Sequence, residues 1–255
     1  MSLTAIAVVP AAPLLLPGAS PAQPPAVTEE VVALRSDVSN ALTALPSGLR
    51  AAIVLVCGDE LLVHAAARAT LRSYGRPQVA ATLRLDRALL AAAGSRGQAP
   101  TIQEDELHGD LAVLALLLAA ARPDVAVVPM TVPTRASRGV LDALAAGLVG
   151  AAEAVDGQVA VVAAGDLAAT LGTASPGYLV DGAVAFDDAA VAAVRAVDED
   201  AFAALGPVEA ERVQARGWGP LTVALAAARL AGLTFAEVDY HAPRGVGQVV
   251  GRPAA

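Results

Sequence analysis

The sequence predicts an α/β fold, a three-layer α/β/α arrangement around a mixed, mostly parallel central sheet. Three observations carry this expectation. Short, wholly apolar runs recur along the 255 residues, of the kind that form strands buried on both faces. Helix-length stretches separate them, which is how parallel strands are joined. The chain is 56% hydrophobic but only 3% aromatic. Its core is therefore Ala, Val and Leu, and alanine-rich helices can lie close on a sheet.

The elements follow in order. Ala5–Val9 is an apolar strand that runs into a turn braced by Pro10 and Pro13. The segment Pro17–Pro25 is a proline-rich connection. A helix is expected over Glu29–Leu45, with Thr28 placed to cap it and Glu29 and Glu30 favourable against its dipole. Ala52–Cys57 is a second strand. Leu61–Ser73 alternates in a way that fits strand or helix and is assigned to extended structure. Gly94–Glu106 is polar and without period, and reads as a loop. Asp110–Ala121 reads as a helix capped by Asp110. A strand over Val125–Pro129, a helix over Arg138–Ala154 and a strand over Val159–Ala164 come next. Helices at Asp187–Asp198 and Pro220–Ala231 and a late strand at Gly247–Val250 complete the pattern. No internal repeat or break in composition divides the chain, so one domain is expected over residues 1–255.

Bulk composition narrows the function. The net charge is −8 and the isoelectric point about 4.8, which disfavours nucleic acid and anionic membrane surfaces as partners. The chain has no lysine, which removes Schiff-base chemistry and the P-loop lysine. Cys57 is the only cysteine, so an internal disulfide and a thiolate metal cluster are excluded, and a reducing, cytoplasmic setting is expected. Mean hydropathy is high, +0.58. Yet the longest clean apolar stretch, Leu111–Ala121 between Asp110 and Arg122, is far short of the ~20 residues a spanning helix needs. The N-terminal run is broken by prolines and lacks a basic start, unlike a signal peptide.

Candidate site residues are sought at the carboxyl ends of the strands, where open α/β sheets place their ligand crevice. The tip of the first loop carries only the methyl groups of Ala11 and Ala12. Asp59, after Cys57-Gly58, is placed either to meet a ligand or to form a turn. His108, at a helix start, either lines a pocket or satisfies backbone groups. Asp166, after Gly165, sits in the same kind of position as Asp59. His64 and His241 have no spacing that joins them to Asp59 in a metal triad. Cys57 would be a nucleophile only with a histidine beside it. Arg135 and Arg138 stand at a helix start, where an anion or solvent would meet them. Gly245-Val246-Gly247 is too short for a dinucleotide fingerprint.

Four stretches, taken together, resemble the class III extradiol ring-cleavage dioxygenases, the LigB-like family, and within it a divergent actinobacterial branch. Val9-Pro10-Ala11-Ala12-Pro13-Leu14-Leu15 resembles the opening Val-Pro-His-Pro-Pro turn of active members. Leu107-His108-Gly109 is similar to their Asp-His-Gly, and Ala164-Gly165-Asp166-Leu167-Ala168-Ala169 to their Ser-Gly-Asp-Leu-Ser-His. Tyr240-His241-Ala242-Pro243-Arg244-Gly245-Val246-Gly247 resembles a closing Tyr-x-Ala-Pro-x-Gly-Val-Gly. Pro176-Gly177-Tyr178 and Phe186-Asp187 stand where that family has such residues. The resemblance implies a LigB-like fold and a site for one non-haem Fe(II), held by two histidines and a carboxylate with open positions for a catechol and O₂. Carried over residue by residue, the first ligand position holds Ala11, the second falls near Asp59, and the acid–base position holds Ala169. Gln248 and Gly251 stand where a glutamate is expected.

These readings lead to a catalytically degenerate relative of the extradiol dioxygenases. It would retain a crevice near Ala11, Asp59, His108 and Asp166 for a small molecule or a protein partner. His108, Asp59 and Asp166 are the candidate catalytic residues. No metal ligand set and no cofactor is expected, with Fe(II) implied only if the family activity survives. The alternatives are an active extradiol dioxygenase, another enzyme using Asp59, His108 or Asp166 in the same crevice, and a structural or interaction protein. Homo-oligomerisation or a partner subunit is compatible with each.

Overall fold

The computed structural model describes residues 3–19 and 29–254. The chain begins with β1 (Leu3–Val9), α1 (Glu29–Thr43) and β2 (Leu49–Gly58). Next come β3 (Leu62–Ala65), β4 (Arg68–Leu71), β5 (Arg76–Thr82), α2 (Arg87–Arg96), β6 (Thr101–Gln103) and α3 (Gly109–Ala121). It continues through β7 (Ala126–Pro133), α4 (Arg138–Glu153) and β8 (Gln158–Ala164). Four helices follow: α5 (Ala183–Ala196), α6 (Glu199–Ala204), α7 (Pro207–Arg212) and α8 (Trp218–Ala231). Strands β9 (Phe235–His241) and β10 (Gln248–Pro253) close it.

Eight strands form one sheet in the order β6-β3-β7-β2-β8-β1-β10-β9, and β4-β5 form a separate hairpin. The central β7, β2, β8 and β1 are mutually parallel, while β3 joins β7 and β10 joins β1 antiparallel. This is the expected three-layer α/β fold with a mixed sheet. Period-two alternation splits each central strand between two cores. Ala5, Ala7 and Val9 of β1 and Ala52, Val54 and Val56 of β2 pack under α1 and α3. Ile6 and Val8, with Ile53 and Leu55, pack under α2, α4, α5 and α8. The strands are apolar on both faces for this reason. Among the described residues no helix is long and apolar enough to cross a membrane.

Several expectations need correction. The loop expected over Gly94–Glu106 contains the end of α2 and all of β6. Helix α2 is started by Asp86, whose side chain accepts from the Leu89 amide at 2.9 Å, and it buries Leu89, Leu90 and Ala93. Strand β6 is a three-residue edge strand whose outward residues carry no apolar signal; pairing with β3 creates it. The N-cap of α3 is His108, not Asp110, because Gly109 turns the chain with a positive φ of 57° and Asp110 falls inside the first turn. Helix α5 begins four residues before Asp187, and Asp198 caps α6 instead, accepting from the Ala201 amide at 2.9 Å. Leu61–Ser73 is extended as expected, through β3 and β4. Thr28 and most of Pro17–Pro25 lie outside the described residues.

Candidate functional site

The carboxyl ends of β1 and β8 lie side by side, and the chain beyond β8 stays in the sheet. The Gly165 amide donates to the Val9 carbonyl at 3.1 Å, and the Val249 amide donates to the Gly165 carbonyl at 2.9 Å. The Leu167 amide donates to Gly247 and the Gly247 amide to Ala168, both at 2.8 Å. Gly165–Ala168 is therefore clamped between β1 and the start of β10. Glycine is required at Gly165, because a Cβ there would overlap the Val249 carbonyl oxygen. Asp166 and Gln248 face each other across an isolated antiparallel bridge, which puts their side chains on one face.

A cavity of ≈ 670 Å³ opens above this floor, within the usual size range of small-molecule sites. Ala11 and Ala12 line it, so the methyl-tipped loop does meet the crevice. Asp166 is its floor carboxylate. One oxygen of Asp166 accepts from the Ala11 amide at 2.8 Å. Burial pushes its carboxyl up to about 7, the nearby Asp110 carboxylate adds to the rise, and the Ala11 amide and Arg216 oppose it. On one wall, Asp110 accepts from the Tyr74 hydroxyl at 2.8 Å and from Arg216 at 2.9 Å. Burial first, and Asp110 second, hold the Tyr74 phenol above its ordinary range.

Two further polar groups border the cavity. Gln248 is 2% exposed, and its Oε1 has no hydrogen-bond partner among the described residues. Arg244 lies in the turn before β10 at φ 57° and forms no ion pair among the described residues. Left-handed non-glycine residues of this kind gather at ligand-binding sites. Pro13, Leu14, Pro176, Pro243 and Val246 supply apolar wall.

Of the three candidate catalytic residues, the structure brings only Asp166 to this cavity. His108 is exposed, makes no capping bond with its side chain, and faces a separate acidic cleft with Glu104, Asp105 and Glu106. Its neighbour Gly109 borders the main cavity. Asp59 is exposed just past β2 and lines neither space. No two of the three are hydrogen-bonded among the described residues.

The other candidates have structural partners. His64 is held between Glu104, at 2.6 Å, and Thr131, at 3.1 Å. His241 pairs with Asp37 of α1 at 2.8 Å. Cys57 contacts the Thr134 hydroxyl at 2.8 Å rather than a histidine, which leaves it without the base a thiol nucleophile needs. Arg135 is bonded to Glu211, and Arg138 to Asp142, Glu199 and Asp200.

An Fe(II) of the two-histidine, one-carboxylate type does not fit this donor set. All three histidines of the chain stand elsewhere than the cavity lining. Its floor carboxylate already accepts a backbone hydrogen bond, and methyl groups occupy the neighbouring loop tip. Among the described residues no three His, Cys, Asp or Glu side chains gather as a metal-holding group.

The sequence did not single out Tyr74, Arg216 or Arg244 as site groups, while Gln248 entered only as one of two residues standing where the resemblance expects a glutamate. The Pro243-Arg244-Gly245 turn was the available signal, a charged residue held between two breakers just before a strand.

No protein-family model and no curated protein sequence matches this chain. Among solved structures it is similar to that of the uncharacterized protein JW3007 from Escherichia coli K12, with a TM-score of 0.57. The likeness covers 97% of this chain and 99% of that one at 15% sequence identity, and it supports the three-layer fold alone.

Proposed function

We propose that this chain is a catalytically degenerate relative of the class III extradiol dioxygenases, and that the crevice at the ends of β1 and β8 binds a small molecule without a metal. The observation that carries the reading is the state of the floor: Asp166 is tied to the Ala11 amide at 2.8 Å, and no imidazole lines the cavity. An iron bound by one engaged carboxylate lacks the ligand count that non-haem sites use. The loop frames of the resemblance remain, while the side chains that would grip iron are replaced.

Anaerobic Fe(II) loading followed by metal analysis tests this. Iron well below one per chain and no oxygen uptake with a catechol are expected. Stoichiometric iron with catechol-dependent oxygen uptake overturns the reading.

A second reading is an enzyme of other chemistry that uses Asp166 as a proton-transfer group. It draws on the carboxyl raised to about 7, since a group poised near neutrality suits general acid–base work. With Asp59 and His108 outside the cavity, Asp166 would act with Tyr74 and Arg216 as its companions.

A further inference from the structure

The strand edges of this protein are not alike. At one end of the main sheet, β9 carries Glu237 and Asp239, and Arg195 donates to its Val238 carbonyl at 3.4 Å. At the other end, β6 is only three residues long. The outer side of β4 is bonded to the chain at Leu107. Charge, shortness and cover are the usual means of keeping an edge from pairing. β5 pairs only with β4, and no other hydrogen bond among the described residues reaches its backbone. Pro77 guards its start, but Gln78–Thr82 holds neither proline nor charge.

This open edge borders a groove of ≈ 470 Å³. The unbroken run Gln78–Arg84 lines it. A groove on one face of a strand would meet alternate residues only, so the backbone edge itself faces the space. Leu116, Ala119 and Ala120 of α3 and Val125 ahead of β7 give it an apolar side. Local charge is opposite to the chain's net −8. Arg76, Arg84 and Arg87 flank the two ends of the run without an ion-pair partner among the described residues, while the neighbouring acids Asp86 and Asp124 are engaged by Arg50 and Arg122.

We propose that β5 receives one extended, acidic segment of a partner protein, which pairs along Gln78–Thr82 as a third strand beside the β4–β5 hairpin. In this mode main-chain bonds supply the affinity and alternate side chains the selectivity. Acids at the ends of the segment meet the arginines. A second copy's β5 is the poorer occupant, because it sets the same arginines against their own counterparts. The surface shares no lining residue with the crevice at β1 and β8, and it does not depend on how that crevice is read.

Fluorescence anisotropy of the full chain with a labelled, end-capped peptide, Glu-Val-Thr-Val-Thr-Val-Glu, tests the proposal. The version with lysine at both ends should bind about tenfold more weakly. An added antiparallel strand turns every second amide toward its neighbour. Of two N-methylated versions, one on the valines and one on the threonines, one should therefore bind normally and the other lose about tenfold or more. A120E adds bulk and negative charge at an exposed α3 residue beside the groove and should weaken the acidic peptide about tenfold. In the free chain, alternate amides of Gln78–Thr82 should exchange fast with solvent, and should slow once peptide is bound.

Slow exchange at all of these amides in the free chain overturns the proposal, since the edge is then already covered. So does equal binding of the two N-methylated versions, or of the acidic and lysine-ended peptides. Absence of binding at millimolar peptide overturns it too. Dimerisation in sedimentation that A120E abolishes assigns the edge to a second copy instead and overturns it as well.

Discussion

Raising the pH forces a charge onto a carboxyl with almost no access to water. Asp187 of α5 is 2% exposed. It accepts from the Ala168 amide at 2.9 Å and from the Tyr240 hydroxyl at 2.7 Å, and so ties the loop after β8 to β9. Burial lifts its carboxyl from an ordinary 3.8 to about 6, against the two hydrogen bonds, which favour the charged form. The folded protein therefore holds this proton more tightly than the unfolded chain does. The stabilisation is full below about pH 4 and is lost as the pH rises through about 6, and at 1.36 kcal/mol per tenfold it amounts to at most about 3 kcal/mol. D187N removes the titration. Its amide oxygen still accepts from Ala168, and its NH₂ meets the Tyr240 oxygen. Urea unfolding should find D187N close to wild type near pH 4.5 and more stable by about 1–3 kcal/mol near pH 8. Other titrating groups, Asp166 among them, are common to both proteins and cancel in the difference. Identical pH dependence in the two proteins, or a D187N less stable near pH 8, would refute the reasoning.

Further outcomes follow from the same geometry. Y240F leaves an oxygen of Asp187 without its donor and should cost about 1–3 kcal/mol in urea unfolding, with the larger loss above pH 6, where the carboxylate is charged. Glu199 is 2% exposed between Arg138 of α4 and Arg229 of α8. E199A should cost only about 1–2 kcal/mol, because Arg138 and Arg229 are 38% and 59% exposed and keep solvent, Asp142 and Asp200 as partners, whereas R138A/R229A leaves the buried Glu199 carboxylate without either cation and should cost more; a thermal or urea melt separates the two. Carboxyl ¹³C NMR should show Asp166 titrating near 7 and moving downward in D110N, since the Asp110 carboxylate helps raise it; an unmoved or raised midpoint would contradict this account.

The parts of the fold legible in the sequence are those whose signal is local. β1, β2, β7 and β8 are buried on both faces, so each appears as an unbroken apolar run. β5, β6 and β9 are edge or hairpin strands with half-exposed side chains, and their strand character comes from a neighbour rather than from their own residues. Helix α2 was hidden because its apolar residues form one continuous block, Ala88–Ala93, without helical spacing, and its last turn is Gly94-Ser95-Arg96. The site divides in the same way. Asp166 and Ala11 were legible because each stands at the end of an obvious strand. Tyr74 and Arg216 were not, because the cavity gathers them from the turn after β4 and the approach to α8, far from Ala11 along the chain. His108 was misplaced by one residue's geometry: Gly109 turns the backbone so that the glycine, not the imidazole, borders the cavity.

The clamping of Gly165–Ala168 between β1 and β10 has a mechanical consequence. A binding surface carried on an ordinary loop can bend to suit its guest, but here the bottom of the cleft is sheet in all but name, and shifting it would mean unzipping hydrogen bonds on two sides. The wall is held as well, because Tyr74 and Arg216 both donate to Asp110, and only the exposed side chain of Arg244 stands without a bonded partner among the described residues. A guest of the proposed crevice would therefore meet a base that cannot reshape itself, and its outline would have to match that base rather than mould it.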